Sequence, residues 1–250
     1  MTLTRSADRK VTNLPSPNGK TAKIANSFGL PAGKAFACPG ATSFCERICY
    51  AGKLEKIYKG VRNVLTSNFE QILYADYLGG IPAMRALLIE MVQDFVRDCQ
   101  KRGLPISEQY FRIHWDGDFY SLDYAQAWVD TINLFPDVQF WAYTRSFTPE
   151  LNVIPVISKA ENLTVYLSAD PVNIALANEV AMCYNGVNIA TVADTFAEAR
   201  DTIIDTARKS YPCPENGKRI PLITEKGSAC GRCGICIDGR GDVLFSVKKR

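Results

Sequence analysis

Between Tyr110 and about Lys209 this chain of 250 residues alternates between two hydrophobic patterns, and that alternation constrains the fold more than any other feature. Runs rich in β-branched and aromatic residues at Tyr110–Trp115, Val138–Tyr143, Leu163–Leu167 and Val187–Val192 read as strands. Helical patterns fill the gaps. Leu122–Leu134 follows a Ser121 N-cap, a stretch from Glu150 to Lys159 comes next, and Asp170-Pro171 opens a helix running to about Met182. Thr195 and Glu198 make a capping box for a last helix ending near Lys209. Strands separated by single helices join through right-handed crossovers into a mainly parallel sheet. The expected class is therefore α/β, a partial or complete (β/α) barrel, in one domain spanning residues 1–250. In such folds functional side chains collect at the C-terminal ends of the strands.

Upstream, residues 1–20 are polar and read as a loosely ordered lead-in, followed by an apolar run around Lys23–Leu30 and a Gly/Pro/Ala-rich loop. Leu54, Ile57, Tyr58, Val61, Leu65, Ile72 and Leu73 recur at helical spacing. A second helix is expected over Pro82–Arg102, ended by Gly103. Residues 210–250 read as a C-terminal extension. No run of roughly 18 apolar residues suggests a membrane span, and the N-terminus has no signal-peptide core, so the expected compartment is the cytoplasm.

In that reducing compartment the nine cysteines read as ligands or reactive thiols rather than disulfides. Cys38, Cys45 and Cys49 form a C-x6-C-x3-C loop after the first strand, enough thiolates for three irons of a [4Fe-4S] cluster with the fourth left open. Cys230, Cys233 and Cys236, with Cys213-Pro214 upstream, have the spacing of a ferredoxin-type cluster. Structural zinc is the rival occupant of these C-terminal cysteines. Cys99 and Cys183 fall on predicted helices and read as core residues. The net charge of +3 is too mild to argue for nucleic acid, and the tail Lys248, Lys249 and Arg250 reads as solvated.

Polar groups stand where the strands end: Asp116-Gly117-Asp118, Thr144-Arg145-Ser146 and Ser168-Ala169-Asp170. His114, the single histidine, Asp118 and Arg145 are the candidate catalytic residues. A hydrogen-bonded structural histidine, ordinary turn chemistry for the aspartates and a surface ion pair for Arg145 are the competing readings. Gly117, Asp118, Thr144, Ser168 and Asp170 are the candidate cofactor-binding residues, and Gly117 permits close backbone approach. Trp115, Trp141 and Tyr143 are candidates to line a pocket or to fill the core.

The loop ending Cys49-Tyr50-Ala51, the segment His114–Phe119 with Tyr124 and Trp128, Phe140–Ser146 and the terminal cysteines together resemble the phage gene product 88 family from about residue 30 onward. That resemblance implies a phage or prophage origin, with the host cytoplasm as the compartment. A looser likeness is to radical S-adenosylmethionine enzymes, which have a partial barrel, a three-cysteine loop after the first strand and a glycine-rich turn after the second. It implies a cluster at Cys38, Cys45 and Cys49 whose open iron holds S-adenosylmethionine near Gly117-Asp118, an auxiliary C-terminal cluster, an electron donor and an unidentified substrate. The usual spacing there is C-x3-C-x2-C, from which this chain departs. The alternatives are a non-catalytic module stapled by iron–sulfur or zinc, and an electron-transfer or redox-sensing protein.

Overall fold

The computed structural model describes residues 1–8, 10–11, 24–224 and 227–248. Its elements run α1 (Ser43–Ile48), α2 (Tyr50–Ile57), α3 (Lys59–Lys101), β1 (Tyr110–Ile113), α4 (Leu122–Ile132), β2 (Gln139–Thr144), α5 (Ile154–Ile157) and β3 (Leu163–Ala169). They continue with α6 (Ile174–Cys183), β4 (Val187–Ala193), α7 (Phe196–Asp201), β5 (Ser210–Pro212), β6 (Ile223–Thr224), β7 (Gly227–Ser228), α8 (Ala229–Cys233) and β8 (Asp242–Ser246). Six strands form one sheet in the order β1-β2-β3-β4-β8-β5, every pair parallel, while β6 and β7 make a separate antiparallel pair. Residues 26–30 run beside β1, with Phe28 N–H donating to the Arg112 carbonyl and Arg112 N–H to that of Asn26. The α/β class and the parallel sheet agree with the sequence reading. Closure into a barrel does not follow: among the described residues no ladder joins the 26–30 edge to β5.

The strands divide their side chains by the two-residue period. Phe111, Ile113, Phe140, Ala142, Val165, Leu167 and Ile189 face the helices and share one core with Leu88, Met91 and Phe95 of α3 and Trp128 of α4. Arg112, Trp141, Tyr143, Ser168, Ala190 and Val192 face the other way, onto a cavity.

The helix expected from Leu54 is broken at Tyr58 into α2 and α3, and α3 runs on through the second expected helix, kinked where Gly79 and Gly80 leave helical geometry, with Pro82 just past the break. Gly103, at φ +65°, ends it as expected. One window of α3 reaches a mean hydropathy of 1.3, enough by length and composition for a membrane span. Its second half, however, buries Met84, Leu88, Met91, Val92 and Phe95 against the sheet. Ser121 caps α4 and the Thr195/Glu198 capping box is formed.

Four expectations need correction. α7 stops at Asp201 rather than near Lys209, because the Thr202 hydroxyl turns back to the Ala199 carbonyl and β-branched Ile203 and Ile204 follow. The helical stretch expected from Glu150 shortens to Ile154–Ile157. Cys183 lies exposed at the end of α6 rather than in the core, whereas Cys99 is buried in α3. The described part of the N-terminal lead-in is packed: Leu3 and Val11 are buried, and Arg5 pairs with Asp98 at 2.7 Å. Residues 12–23 and the tail residues 249–250 lie outside the described residues.

The insertion of β8 between β4 and β5 rests on one buried carboxylate. Asp242 accepts from Ile189 N–H at 2.7 Å and takes Arg208 at both oxygens, at 2.7 and 2.8 Å. Replacing it by alanine leaves the Ile189 amide unpaired in the interior and the partly exposed Arg208 with only the Val187 carbonyl. Asp242→Ala is expected to lower the unfolding free energy by about 2–3 kcal/mol, read as a lower urea midpoint with an unchanged slope.

Candidate metal and ligand site

The Cys38–Cys49 loop is held on the C-terminal ends of β2 and β3 by buried charge. Arg145 donates to Asp170 at 2.6 Å, and the other side of that same carboxylate oxygen receives the Thr42 hydroxyl at 2.5 Å. Thr42 in turn caps α1 through Cys45 N–H. Gly40 lies against the Arg145 backbone, where a Cβ would overlap the carbonyl oxygen. The fit admits only glycine.

Asp118, expected at the catalytic or cofactor site, is buried and engaged. Its carboxylate takes the Thr144 hydroxyl at 2.7 Å, Arg145 N–H at 2.6 Å and Phe119 N–H at 2.7 Å. Burial raises its pKa to about 6 against the pull of those three donors. Thr144 is thereby occupied too, and it also accepts Ser146 N–H. Asp170 accepts Val172 N–H as well as its two side-chain partners. Ser168 lines the cavity. Gly117, at φ +78°, sits so close to Leu30 that a Cβ would come within 2.7 Å of it.

His114 has φ +58° and borders the cavity on the sheet's open face, while its ring reaches toward α4. Its Nε2 meets the Tyr124 hydroxyl at 2.9 Å, among the rings of Phe28, Phe119 and Trp128. Burial first, and the Arg112 charge second, lower its pKa to about 3.

A cavity of about 640 Å³ lies on the sheet face opposite the helices. Cys38, Cys45 and Cys49 line it together with Cys213, Cys230 and Cys236, so the two cysteine groups, remote in sequence, share it. A second, small cavity of about 20 Å³ is enclosed by Cys213, Cys230, Cys233 and Cys236. Burial pushes the thiol of Cys236 up to about 12 and raises those of Cys38, Cys45, Cys213 and Cys230. Backbone N–H groups oppose that rise at two sulfurs: Gly33 at Cys38, and Glu215 and Asn216 at Cys213. Gly52 N–H donates to the Cys49 sulfur at 3.3 Å. The Tyr143 hydroxyl bonds to Cys236. Among the described residues no three His, Cys, Asp or Glu side chains are gathered as the ligands of a single metal ion.

Several cavity residues escaped the sequence reading. Arg112 crosses the floor, paired with Asp8 at 2.8 Å and lying 5.4 Å from the centre of the Tyr143 ring. Glu55 accepts from Ala32 N–H and faces Asp116, whose carboxyl is raised by burial and by the Glu55 charge. Lys10 pairs with Glu215 at 2.9 Å, and its carbonyl accepts Cys230 N–H, tying the N-terminal segment to the C-terminal cysteines. Arg112 alone left a trace, as a cation at an inward position of an apolar strand.

The His114 environment sets a pH signature. Between pH 6.5 and 3 the unfolded histidine takes up a proton that the folded one refuses, so its contribution to stability is lost as pH falls through that window. Asp118 acts oppositely, holding a proton in the fold up to about pH 6, so the comparison must be made between variants. The stability of the wild type relative to His114→Asn, which tolerates positive φ, is expected to fall by about 1.4 kcal/mol per pH unit on acidification below pH 6.5. Urea melts across that range measure it.

Comparison with known proteins is consistent along the whole chain. A family model described as Gene product 88 matches residues 1–239. The Gene 88 protein of Mycobacterium phage L5 is 48% identical over 251 residues, 99% of each chain. That of Mycobacterium phage D29 is 48% identical over 252 residues, again 99% of each. No solved structure matches.

Proposed function

The chain belongs to the gene product 88 family, and we propose that it is an iron–sulfur protein of the bacterial cytoplasm with an enzymatic cavity between two cysteine groups. The observation that carries this reading is one cavity of about 640 Å³ lined both by Cys38, Cys45 and Cys49 and by Cys213, Cys230 and Cys236. Its size is that of a small-molecule or cofactor pocket.

The donor set fits a cluster better than an ion. A tetrahedral zinc with bonds of about 2.3 Å draws thiolates to within about 3.8 Å of one another, and the described cysteines are not gathered in that way. A [4Fe-4S] cluster would spread its four thiolates over its corners, and Cys213, Cys230, Cys233 and Cys236 surround one small cavity that could take it. Cys38, Cys45 and Cys49 would hold a second cluster by three of its irons. When reduced, such a cluster supplies an electron to a bound cofactor, and S-adenosylmethionine is the proposed one. The protein's part is to orient and enclose. N–H donors at Cys38 and Cys213 favour the thiolate form, and Gly52 N–H points at the Cys49 sulfur. Arg145, fixed by Asp170, brings positive charge to Cys45. Glu55 and Asp116 offer carboxyl oxygens to a cationic group in the cavity. His114, Asp118 and Thr144 act in this reading by positioning the strand ends.

Anaerobically purified protein is expected to contain about eight iron and eight sulfide per chain, with broad absorption near 400 nm. Cys45→Ser should retain about four of each and lose reductive cleavage of S-adenosylmethionine. Zinc without iron would overturn the whole reading. Two clusters without cleavage would remove the cofactor and leave electron transfer.

A further inference from the structure

The excess of positive charge in this chain is carried by one segment, two of whose cations line the cavity. Residues 34–62 carry Lys34, Arg47, Lys53, Lys56, Lys59 and Arg62 against only Glu46 and Glu55, in a chain whose total charge is +3. The segment thus outweighs the whole, and the remainder is slightly acidic. All six cations are exposed, and none of them takes part in the ion pairs formed among the described residues. Glu55 does little to neutralise them, because it is turned inward to Ala32 N–H and Asp116.

Aromatic rings open to solvent stand among these cations. Phe36 is 54% exposed, Tyr50 55% and Tyr58 55%. Phe36, Tyr50, Lys56 and Arg62 also line the cavity, so they sit where it meets solvent. The Tyr50 ring is fixed, since its hydroxyl donates to the Trp115 carbonyl at 3.0 Å. A held aromatic face costs little further ordering when a flat ligand stacks on it.

Uncompensated cations interleaved with exposed rings match a partner with regularly spaced anions and free flat faces. Single-stranded nucleic acid has both: phosphates for Lys and Arg, and unpaired bases for aromatic stacking. A duplex hides its base faces. An anionic lipid surface would satisfy the charge and could take up exposed rings, but these two rings line a concave cavity rather than standing on a flat face.

We propose that this rim binds single-stranded nucleic acid, with phosphates on Lys56, Arg62 and the neighbouring lysines and a base stacked against Phe36 and Tyr50 at the cavity mouth. The inference needs no metal and stands or falls separately from the cluster reading.

Fluorescence anisotropy with a labelled 12-nucleotide oligothymidylate tests it on the full chain. Binding is expected at 50 mM salt and should weaken about 50-fold at 200 mM, as follows from about four neutralised phosphates. Lys56→Gln with Arg62→Gln should weaken binding at least about tenfold and flatten the salt slope by about 1.4. Phe36→Ala should weaken it by about tenfold with the slope unchanged. Lys101→Gln with Arg102→Gln, on exposed residues at the far end of α3, should do neither. Thermal melts establish that each variant is folded. Absence of binding at 50 mM salt would overturn the proposal, as would equal loss in the distant pair or equal affinity for a 12-base-pair duplex. Capture by phosphatidylserine vesicles without oligonucleotide binding would overturn it in favour of a membrane surface.

Discussion

A parallel sheet has two apolar faces and must cover both. Here β1 to β4 succeed one another in space as they do in sequence, and crossovers of one hand put all their helices on the same face. The opposite face is left for the ends of the chain. Val11 and Ile237 close over Trp141. The Tyr166 hydroxyl reaches the carbonyls of Ile235 and Gly241, and Thr164 reaches that of Ile237. Two cysteine groups almost 200 residues apart meet across one cavity because only that face remained to be covered. The chemistry of the site is in this sense a consequence of how the sheet is wound.

The same logic explains why the conspicuous polar residues at the strand ends are mostly fasteners. A carboxylate removed from water needs donors in place of its hydration. Asp118 draws them from the end of β2, Asp170 from Arg145 and Thr42, and Asp242 from Arg208 and β4. Each joins segments that the backbone ladder alone does not hold together. The sequence-level reading put Asp118 and Asp170 at strand ends, where they stand. It had no means of telling an occupied oxygen from a free one.

Elements decided by local pattern were legible. β1 to β4 begin within a residue or two of the expected positions, and the Ser121 cap, the Thr195/Glu198 box and the Gly103 stop are all formed. Each depends on a handful of adjacent residues. What the pattern could not carry was order and destination. The place of β8 depends on Asp242 meeting Arg208, 34 positions apart. The strand β5, of three residues, is too short for a period-two signal of its own, and β8 is buried along almost its whole length and so shows no alternation. Arg112 and Glu55 owe their importance to Asp8, Tyr143 and Asp116, partners that no spacing announces.

The cysteines show how far a local signal can reach. Cys99 is as thoroughly enclosed as any of them, and burial pushes its thiol up to about 12 with only neighbouring charges to modify it. Such a thiol is a small apolar filler. Cys38, Cys49 and Cys213 are different, because backbone N–H groups are aimed at their sulfurs. Two of those donors belong to glycines, and Gly33 stands at φ +112°, a conformation that side-chain-bearing residues rarely adopt. The difference between a filler and a candidate ligand is therefore written in the residues around the cysteine. Glycine-bearing loops surround the clustered thiols, and an uninterrupted helix surrounds the isolated one.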